Sequence, residues 1–186
     1  MVKVAILGFG TVGSGVAEVI KMNAERITYN SGYEIEVKYI VDIRDFPGNP
    51  FESLIVKDFA RVEKDPEVSI VVETIGGATI AYDFTKRALL AGKSVVTSNK
   101  ELVATHGFEL ISIAKEKGVN YLFEASVGGG IPVIRPITQC LAANNIEEIY
   151  GILNGTTNYI LTEMIKNGLT FDEALAQAQK DRKSVV

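Results

Sequence analysis

The sequence predicts an α/β protein with a doubly wound parallel sheet, on three observations. Short apolar runs suited to buried strands recur along the chain, stretches with helical spacing follow them, and the links between are a few residues long. Such alternation requires right-handed crossovers, which put helices on both faces of the sheet. The chain has 186 residues, 47% of them apolar and 23% charged, enough for one full core and the start of a second. Its formal charge of −4 provides no basic stripe, so no nucleic-acid partner is expected. No apolar run approaches the length of a membrane-spanning helix, and the N-terminus reads as a strand rather than a signal peptide. A soluble, cytoplasmic protein is the expectation.

The first strand carries the strongest motif. Val2 to Gly15 reads VKVAILGFGTVGSG, in which the apolar run Val4 to Leu7 enters Gly8, Gly10 and Gly13 and then a helix with apolar positions at Val16, Val19 and Ile20. GxGxxG between a strand and a helix suits a dinucleotide. Gly8 makes the tight turn, Gly10 lets backbone approach a pyrophosphate, and Gly13 lets helix and strand pack closely. The phosphates would meet free N–H groups at the positive end of the helix dipole.

After a turn at Asn30 to Gly32, a second strand is expected over Glu34 to Ile43, ending near Asp42, Arg44 and Asp45. An acidic side chain there can hold the ribose hydroxyls of NAD, and an arginine can hold the extra phosphate of NADP. This chain offers both, and solvated loop charges remain the third reading. Phe46 to Asn49, with Pro50 behind it, marks an irregular excursion. Val68 to Ile75 reads as the third strand, Tyr82 to Ala91 as a helix stopped by Gly92, and Ser94 to Ser98 as the fourth strand. A helix from Asn99–Lys100 to about Lys117 stops at Gly118, and Asn120 to Ala125 is the fifth strand.

The chemistry-bearing residues therefore fall at strand ends, the ligand rim of an open parallel sheet. Lys100 is the most informative, because a lysine in the first turn of a helix opposes the dipole. An anionic ligand would offset that cost, and an ammonium there can polarise a carbonyl. The alternative is a stem on the surface with its head in water. Glu124 is followed by Gly128 to Gly130, and a carboxylate beside turned-in carbonyls suits a hard cation. A tight loop with Glu124 bonded to local N–H groups is the competing reading. Ile131 and Pro132 then open a further helix in which Cys140 is expected as a small buried side chain. As the single cysteine it excludes an internal disulfide and fits a reducing compartment. His106, also alone, is expected to pack or cap a turn.

Past Leu141 the pattern changes. A strand is expected over Ile146 to Leu153, a helix from the NGTTN stretch to a stop at Gly168, and a short amphipathic helix opened by the capping box Thr170 to Glu173.

Five stretches, GFGTVGSGV, VVETIGG, VVTSNKELVA, YLFEASVGGGIPVIR and GILNGTTNYIL, in that order and spacing, resemble homoserine dehydrogenases. The resemblance implies NAD(P)-dependent interconversion of aspartate 4-semialdehyde and homoserine, on the route to threonine, methionine and isoleucine. It implies cofactor contacts from Gly8, Gly10, Thr11, Val12, Gly13, Thr74 and Lys100, with Lys100 at the reacting centre. It further implies a structural sodium ion on Glu124 and the carbonyls of Val127, Gly129 and Ile131, a substrate border at Gly155 and Thr156, and a homodimeric parent. The implied organisation is a Rossmann-type NAD(P)-binding domain over 1–143, the start of an incomplete α+β substrate and dimerisation domain over 144–179, and a divergent tail over 180–186. Where the family continues toward substrate-binding acids and a second catalytic lysine, this chain reads KDRKSVV. The expectation is a C-terminally truncated chain that binds cofactor with weak or no turnover, the alternative a non-catalytic nucleotide-binding or regulatory module. A thioester-forming semialdehyde dehydrogenase ranks below both, because Cys140 sits well into a helix rather than at the rim.

Overall fold

The structure, a computed structural model, describes residues 1–151 and 154–180. Positions 152 and 153 of the expected late strand, and 181–186 of the expected tail, lie outside the described residues. By contacts the chain divides into two units, Met1–Ser126 and the residues from Val127 on.

The first unit is built on β1 (Val2–Leu7), flanked by β2 (Ile35–Val41) and β4 (Val68–Glu73) in parallel pairing. The short β3 (Ile55–Val56) extends the sheet beyond β2, and β5 (Ser94–Thr97) and β6 (Tyr121–Leu122) extend it beyond β4. The order β3-β2-β1-β4-β5-β6 reverses direction between β1 and β4. A crevice opens at that switch point, outside the strand C-termini.

Burial on both faces explains the unbroken apolar run of β1. Val4 and Ile6 join a core with Ala17 of α1 (Thr11–Met22), while Ala5 and Leu7 join a larger core with Ala88 and Leu89 of α4 (Thr79–Leu90) and Leu102 and Leu110 of α5 (Lys100–Lys117). Each large apolar side chain fully buried this way contributes about 1.5–3 kcal/mol. Within α1 the buried positions are Gly13 and Ala17, whereas Val19, expected on the apolar face, is 55% exposed. Small residues let α1 lie close to the sheet. Two further short helices, α2 (Ala24–Ser31) and α3 (Ala60–Lys64), were not legible in the sequence. The expected fifth strand shrinks to β6, and Glu124–Ser126 forms a 3₁₀ turn.

The second unit contains α6 (Gly155–Asn167) and α7 (Phe171–Lys180), packed through Ile160, Ala174 and Ala178. Gly168 stops α6 at φ 66°. The capping box forms: the Thr170 hydroxyl and N–H both donate to Glu173 Oε2, at 2.8 and 2.9 Å. The expected strand does not form over 146–151, where Ile149 and Tyr150 are exposed and no ladder partner is present among the described residues. The helix expected after Pro132 is a π-helical segment, Pro136–Cys140. Cys140 at its end is exposed, not buried as expected, because no apolar cluster among the described residues reaches this segment.

Candidate functional site

The site is assembled from the ends of β1, β2 and β4. Gly8, at φ 89°, turns the chain out of β1 while its N–H donates to Val41 O at 2.8 Å. Gly10 is the N-cap of α1, with no side-chain cap, so no capping side chain competes for the first-turn N–H groups. A Cβ added at Gly10 meets nothing within 4 Å, whereas one at Gly13 would stand 2.0 Å from Gly8 O and 2.8 Å from Thr74 Oγ1. The two glycines thus differ: close packing requires the one at Gly13, whereas at Gly10 the approach to the backbone is open. Thr74 ties β4 to the glycine turn, its hydroxyl shared between Leu7 O and Gly8 O, each at 2.9 Å.

Asp42 follows β2 and is buried. Its carboxylate accepts from Phe9 N at 2.7 Å and from Arg44 through N, Nε and Nη2 at 2.9, 3.0 and 2.8 Å. The hydrogen bonds from the Arg44 side chain, with help from both backbone N–H groups, hold this carboxyl far below the usual range against the opposing effect of burial. The remaining guanidinium surface is exposed and stacks over Phe46, its centre 5.1 Å from the ring. Lys57 reaches the same corner, donating to Arg44 O at 2.6 Å and pairing with Asp45 at 2.6 Å.

Gly8, Gly10, Asp42, Arg44, Lys57 and Thr74 together line a cavity of about 410 Å³. The structure therefore brings together two of the three motif glycines, Asp42 and Arg44 after β2, and Thr74. Thr11 and Val12 open α1 beside it and are exposed. Lys100 is the exposed first residue of α5 and does not line this cavity. Glu124 lies half-buried in the first unit, whereas Val127, Gly129 and Ile131 belong to the second, so the sodium expectation rests on the resemblance alone. In the second unit Gly155 is the exposed first residue of α6 and Thr156 is half-buried, with Asn154 Oδ1 capping the helix from Thr157 N at 3.0 Å. His106 stacks on Tyr82, centroids 4.0 Å apart, a packing role as expected.

Sequence reasoning missed two residues at this end of the sheet. Lys57 carried no local signal. Glu73 did: an acid inside the apolar stretch VSIVVETI has to be compensated if buried, and it is fully buried. Its Oε1 accepts from Ile75 N at 2.6 Å and its Oε2 from the Thr97 hydroxyl. Burial pushes the Glu73 carboxyl up, and these hydrogen bonds oppose the rise.

A parallel sheet of this order, with a glycine turn feeding a helix N-terminus at the switch point and an open approach to it, defines a Rossmann-type nucleotide-binding domain. Residues 8–124 match the family "Homoserine dehydrogenase, NAD binding domain" and residues 132–182 match "Homoserine dehydrogenase". The chain belongs to the homoserine dehydrogenase family. It is 48% identical over 179 residues to the Pseudomonas aeruginosa homoserine dehydrogenase, covering 96% of this chain and 41% of that one. The crystal structure of a homoserine dehydrogenase from Thiobacillus denitrificans superposes with a TM-score of 0.87 at 43% identity, covering 96% of this chain and 42% of that one. A hyperthermophilic archaeal homoserine dehydrogenase in complex with NADPH gives a TM-score of 0.79 at 30% identity, covering 96% and 60%. The chain spans about two fifths of the length of the curated relatives it matches.

Proposed function

We propose that this chain carries the cofactor half of a homoserine dehydrogenase and binds a nicotinamide dinucleotide at the β1–α1 turn. The observation that carries the reading is the open approach at Gly10, in front of the α1 N-terminus and beside the cavity at the switch point. Thr11, Val12 and Gly13 would supply the first-turn N–H groups to the pyrophosphate. The preferred cofactor is NADP. The Asp42 carboxylate is already engaged by Phe9 N and Arg44, so it is poorly placed to accept from a ribose diol. Arg44 and Lys57 give the same corner two cations, which suits a phosphate.

The nicotinamide supplies hydride chemistry when bound. In this reading Thr74 borders its ribose, and the Lys100 ammonium steadies the oxygen of aspartate semialdehyde or homoserine. Gly155 and Thr156, at the start of α6, are assigned to the substrate carboxylate, since a helix N-terminus offers N–H groups to an anion. The sodium set of Glu124, Val127, Gly129 and Ile131, a homodimeric assembly and a cytoplasmic location complete the proposal, supported by the family resemblance. Cofactor binding is the activity assigned to these 186 residues, and turnover to the family's full-length arrangement. Fluorescence titration with NADPH and NADH tests this directly. Saturable binding with NADPH tighter is expected, and no binding of either overturns the reading.

A further inference from the structure

Glu73, at the C-terminal end of β4, is fully buried and has no part in the cofactor contacts assigned above. We propose that it is a positioning residue for the nicotinamide end of the site, locking the 74–77 loop to the start of α5 through a closed ring of hydrogen bonds. This rests on the cofactor reading just given.

The ring can be followed atom by atom. Glu73 Oε2 accepts from the Thr97 hydroxyl, and Thr97 Oγ1 in turn accepts from Asn99 N at 2.9 Å. Asn99 Nδ2 donates back to Ile75 O at 3.1 Å and to Gly77 O at 2.7 Å. Ile75 N closes the circuit by donating to Glu73 Oε1 at 2.6 Å. Outside the ring, Asn99 Oδ1 caps α5 by accepting from Leu102 N at 3.0 Å.

The position of the ring explains its use. The β4–β5 ladder ends at the pair Glu73 and Thr97, so past it no backbone pairing holds the two loops together. One of those loops contains Thr74 and the other ends at Lys100. An apolar residue at position 73 would satisfy the core at less desolvation cost but would leave Ile75 N, the Thr97 hydroxyl and, through them, Asn99 without a common anchor. A buried carboxylate with two accepting oxygens joins both loops, and Lys100 emerges one residue after the clamp. The Arg44 corner, assigned to the phosphorylated adenosine end, is held by Asp42 and Lys57 and shares no hydrogen bond with the ring among the described residues, so the ring should affect the nicotinamide end more than the adenosine end.

That asymmetry is the test. NADPH and 2′,5′-ADP, which has the phosphorylated adenosine end and no nicotinamide, are titrated against the chain and its Thr97→Val and Thr97→Ser variants by calorimetry. Thr97→Val, which keeps the shape and cuts the ring, is expected to weaken NADPH about tenfold and 2′,5′-ADP by less than about twofold, with Thr97→Ser restoring NADPH binding. Equal weakening of both ligands, or none of either, overturns the proposal while leaving the cofactor reading intact. A parent chain that binds neither ligand overturns both. Should Thr97→Val fail to fold, Asn99→Asp cuts the ring at Asn99 Nδ2 while keeping the helix cap, and the same pattern is required of it.

Discussion

The two units begin from similar sequence material and end differently. Each has an apolar stretch, a glycine-rich turn and helices, yet among the described residues every buried apolar side chain except Ile160, Ala174 and Ala178 is in the first unit. There, Val4 to Leu7 have β2 along one edge and β4 along the other, with a core on each face. Over 146–151 the alternating stretch IEEIYG has neither among the described residues, and stays irregular with Tyr150 84% exposed. An apolar run becomes a strand only when neighbours take up its N–H and C=O groups. Two individual glycines show the same contrast: a Cβ at Gly13 would stand 2.0 Å from Gly8 O, whereas among the described residues nothing stands within 4 Å of one at Gly130.

The comparison predicts unequal responses to equal substitutions. Gly13→Ala should cost about 3 kcal/mol or more and abolish NADPH binding, while Gly130→Ala should change stability by less than about 0.5 kcal/mol, as read by urea denaturation. Similar losses at the two positions would break the comparison. Leu110→Ala, in the first core, is expected to cost about 2–5 kcal/mol, and Ile165→Ala, 82% exposed on α6, almost nothing.

Acid should reach the first unit through Asp42. Its carboxyl is depressed from an ordinary value of 3.8, so its contribution is present above that value and drains away as the pH falls below it. Asp42→Asn should therefore flatten the acid limb of a stability–pH curve below about pH 4. Glu73, raised by burial, runs the other way: its contribution is present below its ordinary value of 4.5 and is lost as the pH climbs through the raised one. In the second unit Thr170→Ala removes the α7 cap at a cost of about 1 kcal/mol, visible as faster amide exchange in α7 alone.

Much of the fold was legible because its signals are local. The runs that became β1, β2, β4 and β5 announce themselves as apolar stretches bounded by turn residues, and Gly118 and Gly168 mark helix ends through their left-handed conformation. The glycine turn and Thr74 were legible by motif. The strand β3 was not, since two residues, Ile55 and Val56, have no periodicity and exist as a strand only by pairing with Ile40 and Val41. Lys57 was overlooked for a related reason, as its partners Arg44 O and Asp45 lie in another loop, while Glu73 stood out as an acid in an apolar stretch whose partner Thr97 only the fold supplies.

By itself the sequence determined the layer order of the first unit, the position of the glycine turn and the caps of α5 and α7. These depend on hydrophobic period, glycine conformation and side-chain-to-backbone bonds within three or four residues. Tertiary structure alone decided how the charged groups are spent. Nothing in the local sequence says what Asp42 will bond to; the fold sets its carboxylate against Phe9 N across the β1 turn and against Arg44. Glu73 was one acid in an apolar strand until β5 brought Thr97 beside it. A buried charge is defined by the donors that the fold carries to it from elsewhere in the chain.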